Sequence, residues 1–163
     1  MKKFTLLLFL CSFFINAQVF TGKDDKKFQV GALFQDRGTG IVATFDFGLG
    51  QNMSIGAVSS YLLGIKDVPN SDAEFLDRFD AKIRFNANIA DVLGAEEKLD
   101  VYPGLNLGIR NFGAHLGARY FFTEGFGIYA EMQVPIAKYN TDPIGYENLN
   151  NQFNFSLGAS FNL

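Results

Sequence analysis

The segment from Phe79 to Ile89 alternates without a break between apolar and polar side chains. Every second residue, beginning with Phe79, is apolar, and the residues between them are polar or charged: Asp80, Lys82, Arg84, Asn86 and Asn88. Because successive side chains of a β-strand point to opposite faces, this pattern predicts a strand with one apolar and one ionic face. About ten residues of tilted strand also suffice to cross the hydrocarbon core of a bilayer.

The same alternation recurs seven more times along the chain. The predicted strands cover residues 28–35, 41–49, 53–63, 79–89, 99–109, 112–122, 126–136 and 153–163. Short turn sequences at 36–39 and 123–125 can reverse the chain within a few residues. The only competing helical pattern is a single turn within 71–76. We therefore expect an all-β fold, in which the two long connections, 64–76 and 137–151, leave the barrel at the same end.

Alternation alone does not decide which face points outward. A soluble barrel of the lipocalin type would turn its apolar face inward, whereas a membrane barrel turns it to lipid. The apolar faces carry 14 Phe and Tyr rings, and the interior of an eight-stranded barrel is only just wide enough to be filled by side chains. These rings cannot all fit inside, so we expect an eight-stranded antiparallel up-and-down transmembrane β-barrel with a polar lumen.

The aromatic residues also cluster near the predicted strand ends. Membrane barrels carry girdles of aromatic side chains at both interfaces. The residues that fit such girdles here are Phe47, Tyr61, Phe79, Phe112, Tyr120, Phe122, Phe126 and Phe153.

The first residues predict export. Lys2 and Lys3 precede an apolar run at 6–15, and Ala17 is a small residue at a suitable cleavage point. We expect a signal peptide at 1–17 and a barrel domain at 18–163. The apolar run is about half the length of a membrane-spanning helix. A lipoprotein signal is disfavoured because bulky residues precede Cys11, the only cysteine of the chain.

Charge and composition narrow the class of protein. The full chain has 14 basic and 17 acidic residues, and removal of the two signal-peptide lysines leaves 12 basic residues and a net charge of −5. Nothing in this acidic chain suits nucleic acid. Without the signal peptide there is no cysteine for a disulfide. About 146 residues with no linker or repeat fit one domain.

The polar face places charges of both signs in the expected lumen. The candidate lumen ionic network consists of Asp46, Asp80, Lys82, Arg84, Asp100, Arg110, His115, Arg119 and Glu131. Burial costs several kcal/mol per unpaired ion, so we expect these groups to form a paired ladder. The short connection at 123–125 places His115 opposite Glu131 or one step away at Gln133. The two ionisable groups should therefore be hydrogen-bonded or one diagonal apart.

Two other functions remain as alternatives to a closed barrel. Switching of the lumen ion pairs would give a minor gated pore for ions or small solutes, although eight strands do not enclose a porin-like channel. A lipid-modifying enzyme would need a nucleophile beside a base. His115 is the only histidine, and no serine lies near it in the sequence. We expect no catalysis, no cofactor and no metal site.

The long connections are the remaining candidates for function, because exposed loops on a rigid scaffold often carry recognition. Acidic residues dominate the first, which contains Asp67, Asp72 and Glu74. The second contains Lys138, Tyr139, Asp142, Tyr146 and Glu147. These loops either bind a surface partner or are solvated connectors.

Three segments and the last strand carry a family resemblance. The segments are Asp77–Lys82 (DRFDAK), Tyr102–Gly108 (YPGLNLG) and Gly117–Phe122 (GARYFF), and the last strand alternates to Leu163. The chain resembles the small barrels typified by outer membrane proteins A and X, and more closely a family of small uncharacterised outer-membrane barrels of the Bacteroidota. In such barrels the last residue is usually aromatic, which Leu163 is not.

The resemblance implies a location and a set of partners. We expect a monomer in the outer membrane of a diderm bacterium, with both termini in the periplasm, because outer-membrane barrels keep their long loops outside and their short turns at the periplasm. The expected contacts are outer-membrane lipid and lipopolysaccharide, with the barrel assembly machinery acting during insertion. The resemblance implies no known activity.

Overall fold

Antiparallel strands account for most of the structure, a computed structural model that describes residues 19–66, 73–139, 146 and 148–163. The strands are β1 (Lys26–Gln35), β2 (Gly38–Gly50), β3 (Met53–Ile65), β4 (Phe79–Ala87), β5 (Leu99–Gly108), β6 (Asn111–Phe121), β7 (Phe126–Lys138) and β8 (Asn154–Asn162). One short helix, α1 (Phe75–Arg78), precedes β4. The described ranges hold no helix long and apolar enough to cross a membrane.

The strands close into a barrel in sequence order. Each strand pairs antiparallel with its neighbours, and β8 returns to pair with β1 from Lys27↔Asn162 to Gln35↔Asn154. This arrangement confirms the predicted all-β, eight-stranded antiparallel up-and-down barrel. The predicted signal peptide at 1–17 lies outside the described residues.

Strand bounds differ from the predicted ones mainly at the turns. The ladder between β1 and β2 continues to the pair Gln35↔Gly38, so β2 begins three residues earlier than predicted. The turn needs only two residues because Arg37 adopts a φ of 58°. Helix α1 lies at 75–78, partly beyond the turn predicted within 71–76; residues 71 and 72 are outside the described ranges.

The two ends of the barrel are unequal. The mouth end is where the connections β1–β2, β3–β4, β5–β6 and β7–β8 lie, and the terminal end carries the other connections and residues 19–25. Both long connections lie at the mouth end, as the alternation predicted. The connection between β4 and β5 is the longest at the terminal end, where Val19 N–H donates to the Glu97 carbonyl at 3.0 Å.

Burial follows the two faces of each strand. In β4, Arg84 is 2% exposed, whereas the preceding residue, Ile83, is 59% exposed. The same contrast between an exposed apolar residue and a buried neighbour appears in other strands of the barrel. The exposed residues are Leu107, Leu116, Ile128 and Leu157, and each follows a buried residue. The polar face is therefore the lumen and the apolar face is the outer wall.

Candidate functional site

The structure buries every residue of the candidate network in the lumen, each at 9% exposure or less. Four are carboxylates (Asp46, Asp80, Asp100 and Glu131), four are cations (Lys82, Arg84, Arg110 and Arg119), and the ninth is His115. With a neutral histidine these charges balance. A balanced set suits a buried network, because an excess charge of either sign would be left without a partner.

Arg84 lies at the centre of the network. Its Nε and Nη2 donate to the two carboxylate oxygens of Asp46 at 2.7 and 2.6 Å, and its Nη1 donates to Glu131 Oε2 at 2.8 Å. Nη2 also lies 3.0 Å from Gln29 Oε1 and 3.2 Å from Thr44 Oγ1. The donors of the planar guanidinium thus bind acceptors on three strands, β1, β2 and β7.

The ion pair between Asp46 and Arg84 passes over a glycine. Gly56 of β3 pairs with Asp46 on one side and with Arg84 on the other. A Cβ at Gly56 would lie 2.1 Å from Asp46 Oδ1. The missing side chain therefore makes room for a bond between two strands that are not neighbours.

Arg119 extends the network toward β5. Its Nε donates to Asp100 Oδ2 at 2.8 Å, and its Nη1 lies 3.3 Å from Asp46 Oδ2. The Tyr102 ring lies within reach of both guanidinium groups, 4.5 Å from Arg119 Cζ and 5.6 Å from Arg84 Cζ. Because Asp46 contacts both arginines, these groups form one connected layer across the lumen, here called the central network: Asp46, Arg84, Asp100, Arg119 and Glu131.

His115 belongs to an amide chain beside the central network. Its Nε2 lies 2.7 Å from Asn86 Oδ1, and its Nδ1 lies 3.3 Å from Asn106 Nδ2. These contacts fit a neutral ring with its hydrogen on Nε2. Nε2 then donates to Asn86 Oδ1, and Nδ1 accepts from Asn106 Nδ2. The ladder pairs His115 with Gln133, and Glu131 lies two residues before Gln133 in β7, so His115 and Glu131 are one diagonal apart, the second of the two predicted arrangements.

The other predicted charges lie nearer the mouth. Lys82 Nζ is 3.4 Å from Asp80 Oδ2 and donates to Gln133 Oε1 at 3.2 Å, and Gln133 in turn donates to Glu131 Oε1 at 2.7 Å. Arg110 donates to the carbonyl of Leu76 in α1. The structure thus connects Lys82 to the central network through an amide, and it uses Arg110 to hold α1 to the barrel.

The mouth contains an apolar cluster that the alternation did not predict. Tyr146 and Leu149 of the β7–β8 connection pack against lumen-facing residues of the first three strands: Leu33, Val42, Val58 and Leu62. Side-chain amides fasten this connection, since Asn111 Nδ2 donates to the Asn150 carbonyl at 2.9 Å and Gln152 Nε2 to the Asp36 carbonyl at 2.8 Å. The lumen is therefore polar at its centre and partly apolar at its mouth.

The terminal end is also covered. Val19 and Phe20 are 3% and 7% exposed and pack beneath the barrel. Above them Lys27 pairs with Asp25 and donates to Asn162 Oδ1 at 2.9 Å. Sequence reasoning missed this second buried pair because residue 25 precedes the first alternating segment.

The side chains around His115 are joined by hydrogen bonds. His115 is occupied by two amides, and the serine that joins the same amide chain, Ser54, accepts from Asn86 Nδ2 at 2.9 Å. Across the part of the chain that the structure describes, no group of three or more His, Cys, Asp and Glu residues is placed to hold a metal ion. Chemically, these contacts hold the strands together.

Comparisons with known proteins add one finding. No curated protein and no solved structure matches the chain. A family of unknown function does match, and its match covers residues 10–163, which include all eight strands and both groups of residues that cover the barrel ends. The chain therefore belongs to DUF6646, a family of unknown function.

Proposed function

We propose that the protein is an integral outer-membrane β-barrel with a filled polar lumen and a structural or surface-interaction role. The observation that carries the proposal is the inverted burial of the wall: Ile83 is exposed on the outside while Arg84 and Arg119 are buried inside. A soluble protein rarely exposes a continuous apolar belt, because such a surface associates in water. Lipid is the solvent that suits this wall.

The aromatic residues support the same environment. At the mouth end Tyr61 and Phe79 face each other across β3 and β4. At the terminal end Tyr120, Phe122 and Phe126 form a chain of ring contacts at 5.5 and 6.3 Å. Aromatic rings at both ends of an apolar wall are typical of membrane barrels.

The closed lumen favours a structural role over a gated pore. The central network fills the middle of the barrel with paired groups, and the two ends are covered by Leu149 with Tyr146 and by Val19 with Phe20. Opening a water path would separate buried ion pairs, which costs several kcal/mol for each ion left alone. We infer equally that His115 is a structural residue and that the barrel is not an enzyme.

A surface-interaction role would depend on the outward side of the mouth connections. Tyr146 and Leu149 face inward, so they are not available to a partner, whereas Lys138 and Tyr139 remain exposed. Asp67, Asp72, Asp142 and Glu147, which the sequence suggested for such contacts, lie outside the described residues. Lipopolysaccharide is the partner that this location would supply.

Membrane fractionation with heat-modifiable electrophoresis tests the proposal. We expect the wild type in the outer-membrane fraction, with faster migration before heating than after it. Ile83→Lys should lower the folded, membrane-bound fraction, because a lysine on the lipid face near the midplane costs about 2–4 kcal/mol. The matched control is Glu124→Lys on an exposed turn, which should behave as the wild type does. Recovery of wild-type protein in the soluble periplasm would overturn the proposal.

A further inference from the structure

Two pairs of large apolar side chains protrude beyond the ends of one strand, β4. Phe75 and Leu76 of α1 are 65% and 68% exposed just before it, and Val92 and Leu93 are 69% and 65% exposed just after it. These four residues are more exposed than Ile83 in the middle of the wall. They belong to connections, where exposed side chains are usually polar.

Helix α1 is held against the outer wall by ring contacts. The Phe75 ring lies 5.0 Å from Tyr61 and 6.4 Å from Phe79, nearly parallel to the latter. On the other side, the Leu76 carbonyl accepts from Arg110, and Glu74 with Asp77 forms a capping box. The exposed pair is therefore a fixed continuation of the apolar wall rather than part of a loose loop.

The turn after β4 is equally well defined. Leu93 N–H donates to the Ile89 carbonyl at 3.0 Å, and Ala95 N–H donates to the Ala90 carbonyl at 3.0 Å. Gly94 closes the turn with a φ of 64°. Exposed charges lie next to the apolar pair, at Asp91 and Glu96. An apolar tip flanked by charge is the composition of an element that lies at a membrane surface.

The strand that lies between the two pairs is long enough to cross the apolar band of a membrane barrel. The nine residues of β4 span about 30 Å at about 3.3 Å per residue. A tilt of about 40° reduces the height to about 23 Å, close to the apolar band of about 25 Å in such barrels. The two pairs follow in sequence from the two ends of a strand of that height.

We infer that α1 and the β4–β5 turn are interfacial anchors, which insert Phe75 with Leu76 and Val92 with Leu93 into the headgroup boundary of opposite leaflets. Lipid is the occupant at α1 because α1 packs directly on the outer wall and continues it. Lipid is the occupant at the turn because Val92 and Leu93 are exposed beside charged residues at the end of a strand whose outward face is apolar. This inference rests on the proposed function. The two anchors would fix the position of β4 along the membrane normal at both ends of the strand.

Single tryptophan variants provide the test, since the protein contains no tryptophan. Leu76→Trp and Leu93→Trp are reconstituted in phosphatidylcholine vesicles whose acyl chains carry bromine either near the headgroup or near the chain end. Both should show blue-shifted emission and lose most of their fluorescence to bromine near the headgroup, with little loss to aqueous acrylamide. If a variant does not give the folded, heat-modifiable form, Phe75→Trp and Val92→Trp replace it at the same end.

Matched controls separate this inference from the proposed function. Lys66→Trp at the mouth end and Glu124→Trp at the terminal end are exposed on polar connections, and acrylamide should quench both. Ile83→Trp should be quenched by bromine near the chain end. Quenching of Ile83→Trp by acrylamide alone would overturn the proposed function. Lipid quenching of Ile83→Trp with acrylamide quenching of Leu76→Trp or Leu93→Trp would overturn the anchor at that end alone, and a soluble partner would then be the better occupant.

Discussion

Asp46 of β2 and Arg84 of β4 form a bidentate ion pair across β3, although β2 and β4 are not neighbours in the sheet. The pair lies directly over Gly56, which is paired with both residues in the strand register. Asn86 and His115 repeat this relationship over Gly104, at 2.7 Å. The barrel thus uses inward-facing glycines as passages for bonds between alternate strands, which adds links that the backbone ladder does not supply.

Gly56→Ala should therefore lower stability. The new Cβ would lie 2.1 Å from Asp46 Oδ1 and 2.5 Å from the Phe45 carbonyl oxygen, so the pair or the backbone must shift, at a cost of about 1–3 kcal/mol. Urea unfolding in vesicles or micelles measures the loss. Gly125→Ala is the control, since no atom lies within 4 Å of its added Cβ. Equal unfolding midpoints for the two variants would contradict the close approach.

Arg84→Gln should have a larger effect. It leaves Asp46 and Glu131 buried with weaker partners, and breaking a buried pair costs about 3–5 kcal/mol. Arg37→Gln is the control on the surface, because Arg37 and Asp36 are largely exposed and such pairs contribute at most about 1 kcal/mol.

A second variant shows whether the loss comes from the pair itself. Adding Asp46→Asn to Arg84→Gln should cost less than the sum of the two single changes, because the double variant no longer buries an unpaired Asp46 carboxylate. The unfolding free energies of the four proteins form the cycle. Strict additivity would mean that the two residues contribute independently.

His115→Ala should affect stability and not turnover. Removing the ring leaves the amides of Asn86 and Asn106 without its donor and acceptor, at a cost of about 1–3 kcal/mol. His115→Gln, which keeps one donor and one acceptor, should recover part of that loss. Phospholipid hydrolysis should stay at the background level in all three proteins. Reproducible wild-type turnover that His115→Ala abolishes would establish the enzyme alternative.

Planar-bilayer recording should find the wild-type barrel silent over a wide range of voltage. The double variant Tyr146→Ser with Leu149→Ser weakens the mouth cluster, yet it should also stay silent, because the central network still fills the lumen. Adding Arg84→Ser removes one of the two arginine side chains of that network and should allow brief openings. Steady wild-type conductance would favour the gated pore.

The alternation predicted the wall because a strand repeats every two residues. It therefore assigned Asp46, Arg84 and Glu131 to the lumen correctly, and turn lengths indicated that the long connections share one end. Their mutual contacts could not be predicted in the same way. The Asp46–Arg84 pair depends on the register of β2, β3 and β4, and the glycine between them is informative only once that register is known.

The covering of the two ends could not be predicted either. Tyr146 and Leu149 belong to a connection without periodicity, and their position depends on amide contacts with distant residues such as Asn111. Val19 and Phe20 similarly lie beside the β4–β5 connection, to which Val19 N–H donates a hydrogen bond at the Glu97 carbonyl. Irregular segments carry no repeating signal, so only their tertiary contacts reveal what they cover.

The barrel closes through the pairing of its first and eighth strands, β1 and β8. One of the two neighbours of β1 is β8, and Lys27 of β1 donates to Asn162 of β8, 135 positions later in the chain. Until β8 pairs with β1, the sheet has two open edges, and each can pair with a strand of another chain. Closure of the ring is therefore the step that removes the last strand edge through which one copy could pair with another, and it leaves the apolar wall as the remaining surface to be covered.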